Sequence, residues 1–179
     1  MDKNSMKKNI YFFILFLAII IIFILLYKAI YQSNSYIPSL SINNKINNFS
    51  ANSLFSDNKI DIKDLSKLEK ITIINIWASW CAPCRNEHKY LMKLRQHPNV
   101  NIIGLNYKDD PSKAKKFIKN FGNPFSKILK DPKGIISIDI GAYGVPETYI
   151  LDNKLNIIKK FIGELTSNNY EEIVNIANK

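Results

Sequence analysis

One segment near the middle of the chain places two cysteines between a buried strand and a helix. Residues 71–77 read ITIINIW, an almost continuously apolar and β-branched run that is typical of a strand buried on both faces of a sheet. Cys81 and Cys84 follow closely, and residues 85–96 carry apolar side chains at helical spacing before a His-Pro pair ends the pattern. A strand that leads directly into a helix indicates an α/β sheet with parallel crossovers.

The remaining segments continue this alternation of strands and helices. We expect strands over 101–107, 147–151 and 155–162, helices over 111–121 and 167–178, a short hairpin over 49–62, and a turn of helix over 64–68. In the helix over 111–121, the spacing of apolar positions places Phe121 on the inner face, and Gly122 is a natural stop. The pattern predicts one α/β domain that covers residues 49–179.

Residues 10–27 form an apolar run without a charged or strongly polar side chain. At about 1.5 Å rise per residue, a helix of this length approaches the ~30 Å hydrocarbon thickness of a bilayer. A cleaved signal peptide or a buried helix is the alternative, but the run exceeds the usual apolar region of a signal peptide and no small-residue cleavage site follows it. We therefore expect a cytoplasmic tip and transmembrane anchor in residues 1–31 and a linker over 32–48.

Positive charges around the apolar run predict its orientation. Lys3, Lys7 and Lys8 precede the run, whereas Lys28 and Lys45 follow it. The positive-inside rule then keeps the short N-terminus in the cytoplasm. The domain is expected on the other side of the inner membrane, in the periplasm or an equivalent compartment where disulfides form.

The composition argues against two other classes of protein. The net charge of +10 comes from lysines that are spread along the chain, so it indicates a basic solvated surface and not a nucleic-acid site. Cys81 and Cys84 are the only cysteines, which excludes a structural disulfide framework. A structural zinc site usually takes four protein ligands, and only His88 and His97 lie near the pair. We expect no metal and no nucleic-acid partner.

The position of Cys81 at the start of a helix predicts its chemistry. Unpaired N–H groups and the positive end of the helix dipole stabilise a thiolate there, so we expect Cys81 to be an accessible nucleophile. Cys84 lies one helical turn further on, where we expect a deeper sulfur that attacks the mixed disulfide. Pro83 is tolerated because the first turn of a helix needs no N–H donor at that point. The pair itself is then the redox centre, and no cofactor is required.

Three motifs resemble a known family. NIWASWCAPCRNE is similar to the active-site signature of thioredoxin-like reductases, while GLNYKDD over 104–110 and DIGAYGVPETYILD over 139–152 resemble the membrane-anchored branch of cytochrome c maturation, the CcmG/DsbE type. The resemblance covers most of the chain from Phe49 onwards. It implies a thioredoxin-like fold, with a central mixed sheet flanked by helices and with a strand and a helix added before the closing hairpin.

The resemblance also implies partners and further site residues. The substrate would be a disulfide in apocytochrome c or in a haem-ligation partner, and the electron donor a membrane protein of the thiol-disulfide interchange type. Val145-Pro146 would form a cis-proline loop beside the cysteines, although trans is the default on residue statistics alone. Together with Trp80 and Pro83, this loop would form the substrate groove.

Two carboxyl groups are auxiliary candidates. Asn75 stands where thioredoxins carry a buried acid that relays a proton, so another group has to replace that acid. Glu87 follows Cys84 by one turn and Glu147 follows the proline loop, and either could act as a base or raise the thiol pKa values. The alternative for Glu87 is an ordinary exposed helix carboxylate.

Of the other side chains near the cysteines, Trp77 is predicted in the core, and His88 and His97 on the surface. The Ala-Pro pair between the cysteines resembles the Gly-Pro of reducing members of the superfamily, so we expect a reductant of protein disulfides. Two alternatives share part of the pattern: an anchored thioredoxin-like reductase for another client, and a copper-delivery module that uses Cys81, Cys84 and His88.

Overall fold

The computed structural model describes residues 3–31, 45–56, 58–65 and 71–179, which form two separate units. The first unit contains helix α1, Lys3–Tyr31. Within the described residues, Asn9–Lys28 is long and apolar enough to cross a membrane, and none of it is buried against protein. The expected span at 10–27 lies inside this helix. Residues 32–44 of the expected linker lie outside the described residues.

The second unit is an α/β domain with helices on both faces of a sheet. Its elements, in chain order, are β1 Ser50–Asn52, β2 Lys59–Asp61, a 3₁₀ turn Ile62–Leu65, β3 Ile71–Trp77, α2 Ala82–Leu94, β4 Val100–Tyr107, α3 Pro111–Phe121, β5 Lys127–Asp131, α4 Ile135–Asp139, β6 Glu147–Leu151, β7 Ile157–Ile162 and α5 Ser167–Ala177. The five-stranded sheet has the order β5-β4-β3-β6-β7. The hairpin of β1 and β2 forms a separate small sheet.

The central strand β3 joins a parallel half of the sheet to an antiparallel half. It pairs in parallel with β4, which pairs in parallel with β5, and it pairs antiparallel with β6, which continues into β7. The expected mixed sheet is therefore confirmed. Ile76 is in register with Glu147, so the carboxyl end of β3 lies beside the start of β6.

Both faces of β3 are buried, as its β-branched sequence predicts. Ile73 belongs to one apolar cluster, which includes side chains of α2, α3 and α5, and Ile74 to a second cluster on the other face. Trp77 is buried, as expected, and stacks on Phe125 with ring centroids 5.5 Å apart. Gly104 on β4 makes room for this indole, because a Cβ there would come within 2.7 Å of Trp77 Nε1.

Two expectations at the edges of the domain are wrong. Ile46 falls within the predicted linker, but it is buried and its N–H donates to the carbonyl of Leu155, so the packed domain begins before Phe49. Phe121 was expected to face inwards, but it is 44% exposed. It occupies the last position of α3, where its ring contacts Phe117 and the guanidinium of Arg85.

Candidate active site

Cys81 caps the N-terminus of α2, where the structure joins it to Cys84 by a disulfide bond. Its Sγ accepts a hydrogen bond from the backbone N–H of Cys84 at 3.1 Å. Pro83 lies in the first turn, where no N–H donor is needed, as expected. Cys81 Sγ therefore lies at the positive end of the α2 dipole, beside a backbone N–H donor.

The expected difference in exposure between the two sulfurs is wrong for the disulfide form. Cys81 is only 4% exposed and Cys84 is 3% exposed, and both residues belong to the same apolar cluster. The exposed surface around the pair comes from Trp80, which is 59% exposed, and from Pro83. A partner therefore meets these two side chains before it reaches either sulfur.

The Val145–Pro146 peptide bond is cis, as the resemblance implied. Pro146 is buried and its carbonyl accepts a hydrogen bond from the N–H of Gly163 at 3.0 Å. Val145 packs against the apolar cluster that contains both cysteines. The register of β3 with β6 thus brings the proline loop to the end of the sheet that also carries the disulfide.

Glu87 is fully buried, which excludes the alternative of an exposed helix carboxylate. It lies on the same buried face of α2 as Cys84. Its carboxylate accepts hydrogen bonds from the side-chain amide of Asn75 at 2.7 Å and from the backbone N–H of Leu165 at 2.8 Å. Burial raises the pKa of Glu87 from its usual 4.5 to about 7, against these two hydrogen bonds, which lower it. No cation pairs with Glu87 among the described residues.

Glu147 is buried as well, but it has a cation as its partner. Lys160 Nζ lies 2.7 Å from Glu147 Oε2, and the lysine side chain is only 9% exposed. Glu147 Oε1 accepts hydrogen bonds from the backbone N–H groups of Tyr143 and Gly144, and Lys160 also donates to the carbonyl of Gly141. This ion pair ties the proline loop to β6 and β7. The sequence pattern did not indicate a partner for Glu147, since Lys160 lies among other lysines.

A third carboxylate group holds the chain in place just before the disulfide. Asp109 accepts hydrogen bonds from the backbone N–H of Ser79 at 2.6 Å, from its hydroxyl at 2.7 Å, and from the amide of Asn106 at 2.9 Å. The indole N–H of Trp80 donates to the carbonyl of Lys108 at 3.1 Å. Asp109 and Lys108 both lie in the GLNYKDD segment, so a segment that carries the resemblance also positions the chain around Trp80.

The placement of His88 on the surface is wrong. Its ring is buried, packs edge-on against Phe117 with centroids 5.2 Å apart, and lies 3.1 Å from the carbonyl of Gly122 through Nε2. Burial lowers the pKa of His88, which favours the neutral ring. His97 is partly exposed and contacts the side chain of Asn178. Within the described residues, no three His, Cys, Asp or Glu side chains form a group that could hold a metal ion.

The mixed sheet, the disulfide at the start of a helix and the cis-proline loop beside it define a thioredoxin-like thiol-disulfide oxidoreductase. The chain belongs to the Redoxin family, which it matches over residues 33–174.

Similar proteins support this class. The chain is 38% identical over 161 residues to the thiol:disulfide interchange protein DsbE of Haemophilus influenzae, a match that covers 89% of this chain and 88% of the relative. It is 35% identical to the Escherichia coli DsbE over 136 residues, covering 76% of this chain and 73% of that protein. The thiol:disulfide interchange protein CycY of Rhizobium leguminosarum is 41% identical over 103 residues, which cover 58% of this chain and 55% of CycY.

Solved structures agree on the fold. The thioredoxin domain of a thiol-disulfide oxidoreductase from Bacteroides vulgatus superposes with a TM-score of 0.67 at 18% identity, covering 78% of this chain and all of that domain. A DsbF homologue from Corynebacterium diphtheriae superposes with a TM-score of 0.64 at 25% identity, covering 74% of this chain and 85% of that chain.

Proposed function

We propose that the protein reduces a disulfide of a partner protein, with Cys81 as the nucleophile and Cys84 as the resolving thiol. The observation that carries this proposal is the hydrogen bond from the N–H of Cys84 to Cys81 Sγ at the N-terminus of α2. It favours a thiolate at Cys81 over one at Cys84. The Cys81 thiolate attacks the partner's disulfide, and Cys84 then attacks Cys81 Sγ and releases the reduced partner. The pair itself supplies both electrons, so the proposal needs no cofactor.

Glu87 is the proposed proton acceptor for the resolving step. Cys84 must lose its proton before it can attack, and thioredoxins use a buried acid at the position of Asn75 for this purpose. Glu87 lies on the same face of α2 as Cys84, has a pKa of about 7, and is held by the amide of Asn75. A buried carboxyl group with this pKa can take up and release a proton near neutral pH. Glu147 already neutralises Lys160, so we propose that it positions the proline loop.

The client and the location complete the proposal. We propose that α1 anchors the protein in the inner membrane, with the domain in the periplasm and with a membrane protein of the thiol-disulfide interchange type as electron donor. The client is proposed to be apocytochrome c or a haem-ligation partner. The apolar stretch Asn9–Lys28 supports the anchor. The similarity to DsbE and CycY interchange proteins supports the client and the electron donor. A metal-delivery role has no support, since His88 is buried and already engaged with Gly122.

Trapping tests both the roles of the cysteines and the client. A Cys84→Ala variant lacks the resolving thiol, so it should accumulate a stable mixed disulfide through Cys81, and mass spectrometry of the captured protein names the client. Cys81→Ala is the matched control and should capture nothing. If Cys81→Ala traps the partner and Cys84→Ala does not, the two roles are reversed.

The direction of electron flow has its own test. A reductant should have a reduction potential near or below the value of about −270 mV that is typical of thioredoxin, measured by equilibration of the full chain in detergent with glutathione or dithiothreitol. A potential near the roughly −120 mV of a strong oxidant would show that the protein oxidises its partners instead.

A further inference from the structure

A cavity of about 260 Å³ lies on the α3 side of Trp80, next to the disulfide along the chain. It is lined by Ser79, Trp80, Arg85, Lys113, Lys116, Phe117, Asn120 and Phe121. The proline loop does not contribute to it, so this cavity shares only Trp80 with the predicted groove of Trp80, Pro83, Val145 and Pro146. Nothing in the proposed reaction uses it.

The cavity combines aromatic surface with positive charge. Trp80 is 59% exposed and Phe121 is 44% exposed, and Phe117 beneath them is buried. The guanidinium of Arg85 lies 5.3 Å from the centroid of the Phe121 ring. The indole of Trp80 is held in place by its hydrogen bond to the carbonyl of Lys108. The exposed aromatic rings of the cavity, Trp80 and Phe121, are thus held by contacts within the protein before any partner binds.

The charged side chains that line the cavity all have one sign. Three of the residues that line it are cationic, namely Arg85, Lys113 and Lys116, and none is acidic. Lys113 and Lys116 lie on the face of α3 that also carries Asn120, while Lys115 and Lys119 lie on other faces of the same helix and do not line the cavity. The general excess of lysine therefore does not account for the grouping by itself, and α3 offers its own control residues.

These features restrict what can fill the cavity. A basic side chain would be repelled by three cations, and a purely apolar one would remove water from them without compensation. An acidic side chain with an apolar stem, or an acidic residue beside an apolar one, satisfies both the aromatic walls and the cationic rim. Because Trp80 immediately precedes Cys81, a partner protein whose disulfide is attacked by Cys81 passes close to this cavity.

We propose that the cavity binds an acidic residue of the partner protein, placed within a few residues of the cysteine that Cys81 attacks. The inference rests on the proposed reduction of a protein disulfide and deepens it, because it defines the chemical class of the client's flanking sequence. In the reaction, the dithiol of Cys81 and Cys84 is oxidised to its disulfide, and the peptide disulfide is reduced to two thiols. The cavity accelerates the first attack by binding the flanking acidic residue.

The experiment uses disulfide-linked homodimers of a short synthetic peptide that contains one cysteine. Glu, Gln or Lys is placed in turn at each of the three positions on either side of the cysteine. The full chain in detergent is reduced, freed of reductant and mixed with each peptide, and the rate is followed by the appearance of peptide thiol. At the best position, the wild-type protein should reduce the Glu peptide about tenfold faster than the Lys peptide at low salt, with less difference at high salt.

Two matched double variants distinguish the cavity from the charge of the whole surface. Lys113→Glu with Lys116→Glu should remove or reverse the preference for Glu. Lys115→Glu with Lys119→Glu changes the net charge of the same helix by the same amount and should keep the preference. The milder pair Lys113→Gln with Lys116→Gln should weaken the preference and serves if charge reversal unfolds α3.

Reduction of neutral hydroxyethyl disulfide is measured in parallel. If the protein reduces this compound and all peptides at rates that do not depend on the peptide charge, or if both Glu double variants lose the preference equally, the cavity does not select acidic partners. If neither the compound nor any peptide is reduced, the proposed reductase function itself fails.

Discussion

Two buried carboxyl groups flank the disulfide, and they differ in whether a cation lies beside them. Glu147 is paired with the cation of Lys160 and accepts hydrogen bonds from two backbone N–H groups, whereas Glu87 has only the amide of Asn75 and the N–H of Leu165. A buried carboxylate with a cationic partner stays charged and holds structure together. One without a cation can exchange a proton, because its charged and neutral forms are closer in free energy.

The largest effect is expected from removing the cation. Lys160→Met leaves Glu147 buried without its counter-charge, so the variant should lose about 3–5 kcal/mol of unfolding free energy. Denaturant unfolding of the oxidised protein measures this loss. Lys159→Met is the matched control, because the Lys159–Glu172 pair is more than 40% exposed on both sides and should contribute less than about 1 kcal/mol.

A second arm of the same experiment tests the pairing directly. The double variant Lys160→Met with Glu147→Gln should recover much of the stability, since neither side chain is then left charged and buried. If Lys160→Met is no less stable than Lys159→Met, the ion pair does not hold the loop and the contrast between the two carboxyl groups fails.

A smaller effect is expected from pH through Glu87. The pKa of Glu87 is higher in the folded protein, about 7, than its ordinary value of 4.5, so the folded state binds the proton more tightly. The contribution of Glu87 to the free energy of unfolding is therefore fully present below pH 4.5 and is lost as the pH rises to about 7. The total loss is about 3 kcal/mol.

Glu87→Gln should remove this pH dependence and should be more stable than the wild-type protein at pH 8. Denaturant unfolding of both proteins at several pH values between 5 and 8 measures the difference. Parallel pH curves for the two proteins would show that Glu87 does not titrate in this range.

The smallest effect is expected at the pKa of Glu87 itself. Asn75→Leu removes a hydrogen bond that favours the charged carboxylate, so the pKa of Glu87 should rise by about one unit. Carboxyl carbon shifts in an NMR titration report it. Thr148→Val is the control, because Thr148 also accepts a hydrogen bond from the Asn75 amide, whereas the hydrogen bonds to Glu87 come from Asn75 and Leu165. A pKa that stays unchanged in Asn75→Leu would assign the shift to burial alone.

The secondary structure was largely predictable because local signals agreed with the packing. The bounds of β3, α3 and β6 match the predicted ranges, and α3 begins after an Asp110 cap and ends at Gly122. The cysteines at the start of α2 were predictable for the same reason. The resemblance, and not residue statistics, indicated the cis bond at Pro146.

The burial of polar side chains was not predictable from these local signals. Glu87 and His88 lie on the inner face of α2, but a prediction from helical periodicity assigns charged and polar residues to the exposed face. Whether such a group is buried depends on partners that are distant in the chain, such as Asn75 on β3 and the N–H of Leu165. The ion pair of Glu147 with Lys160 was missed for the same reason, since only the pairing of β6 with β7 brings the two residues together.

The change from parallel to antiparallel pairing at β3 has a consequence for biosynthesis. The strand that leads to Cys81 pairs with β4 from the next part of the chain, but its other neighbour, β6, follows only after α3, β5 and α4. A nascent chain therefore carries its two thiols before the proline loop and Glu147 have been translated. Premature termination at the end of α4 would yield a fragment that keeps the cysteine motif yet lacks Val145, Pro146 and Glu147.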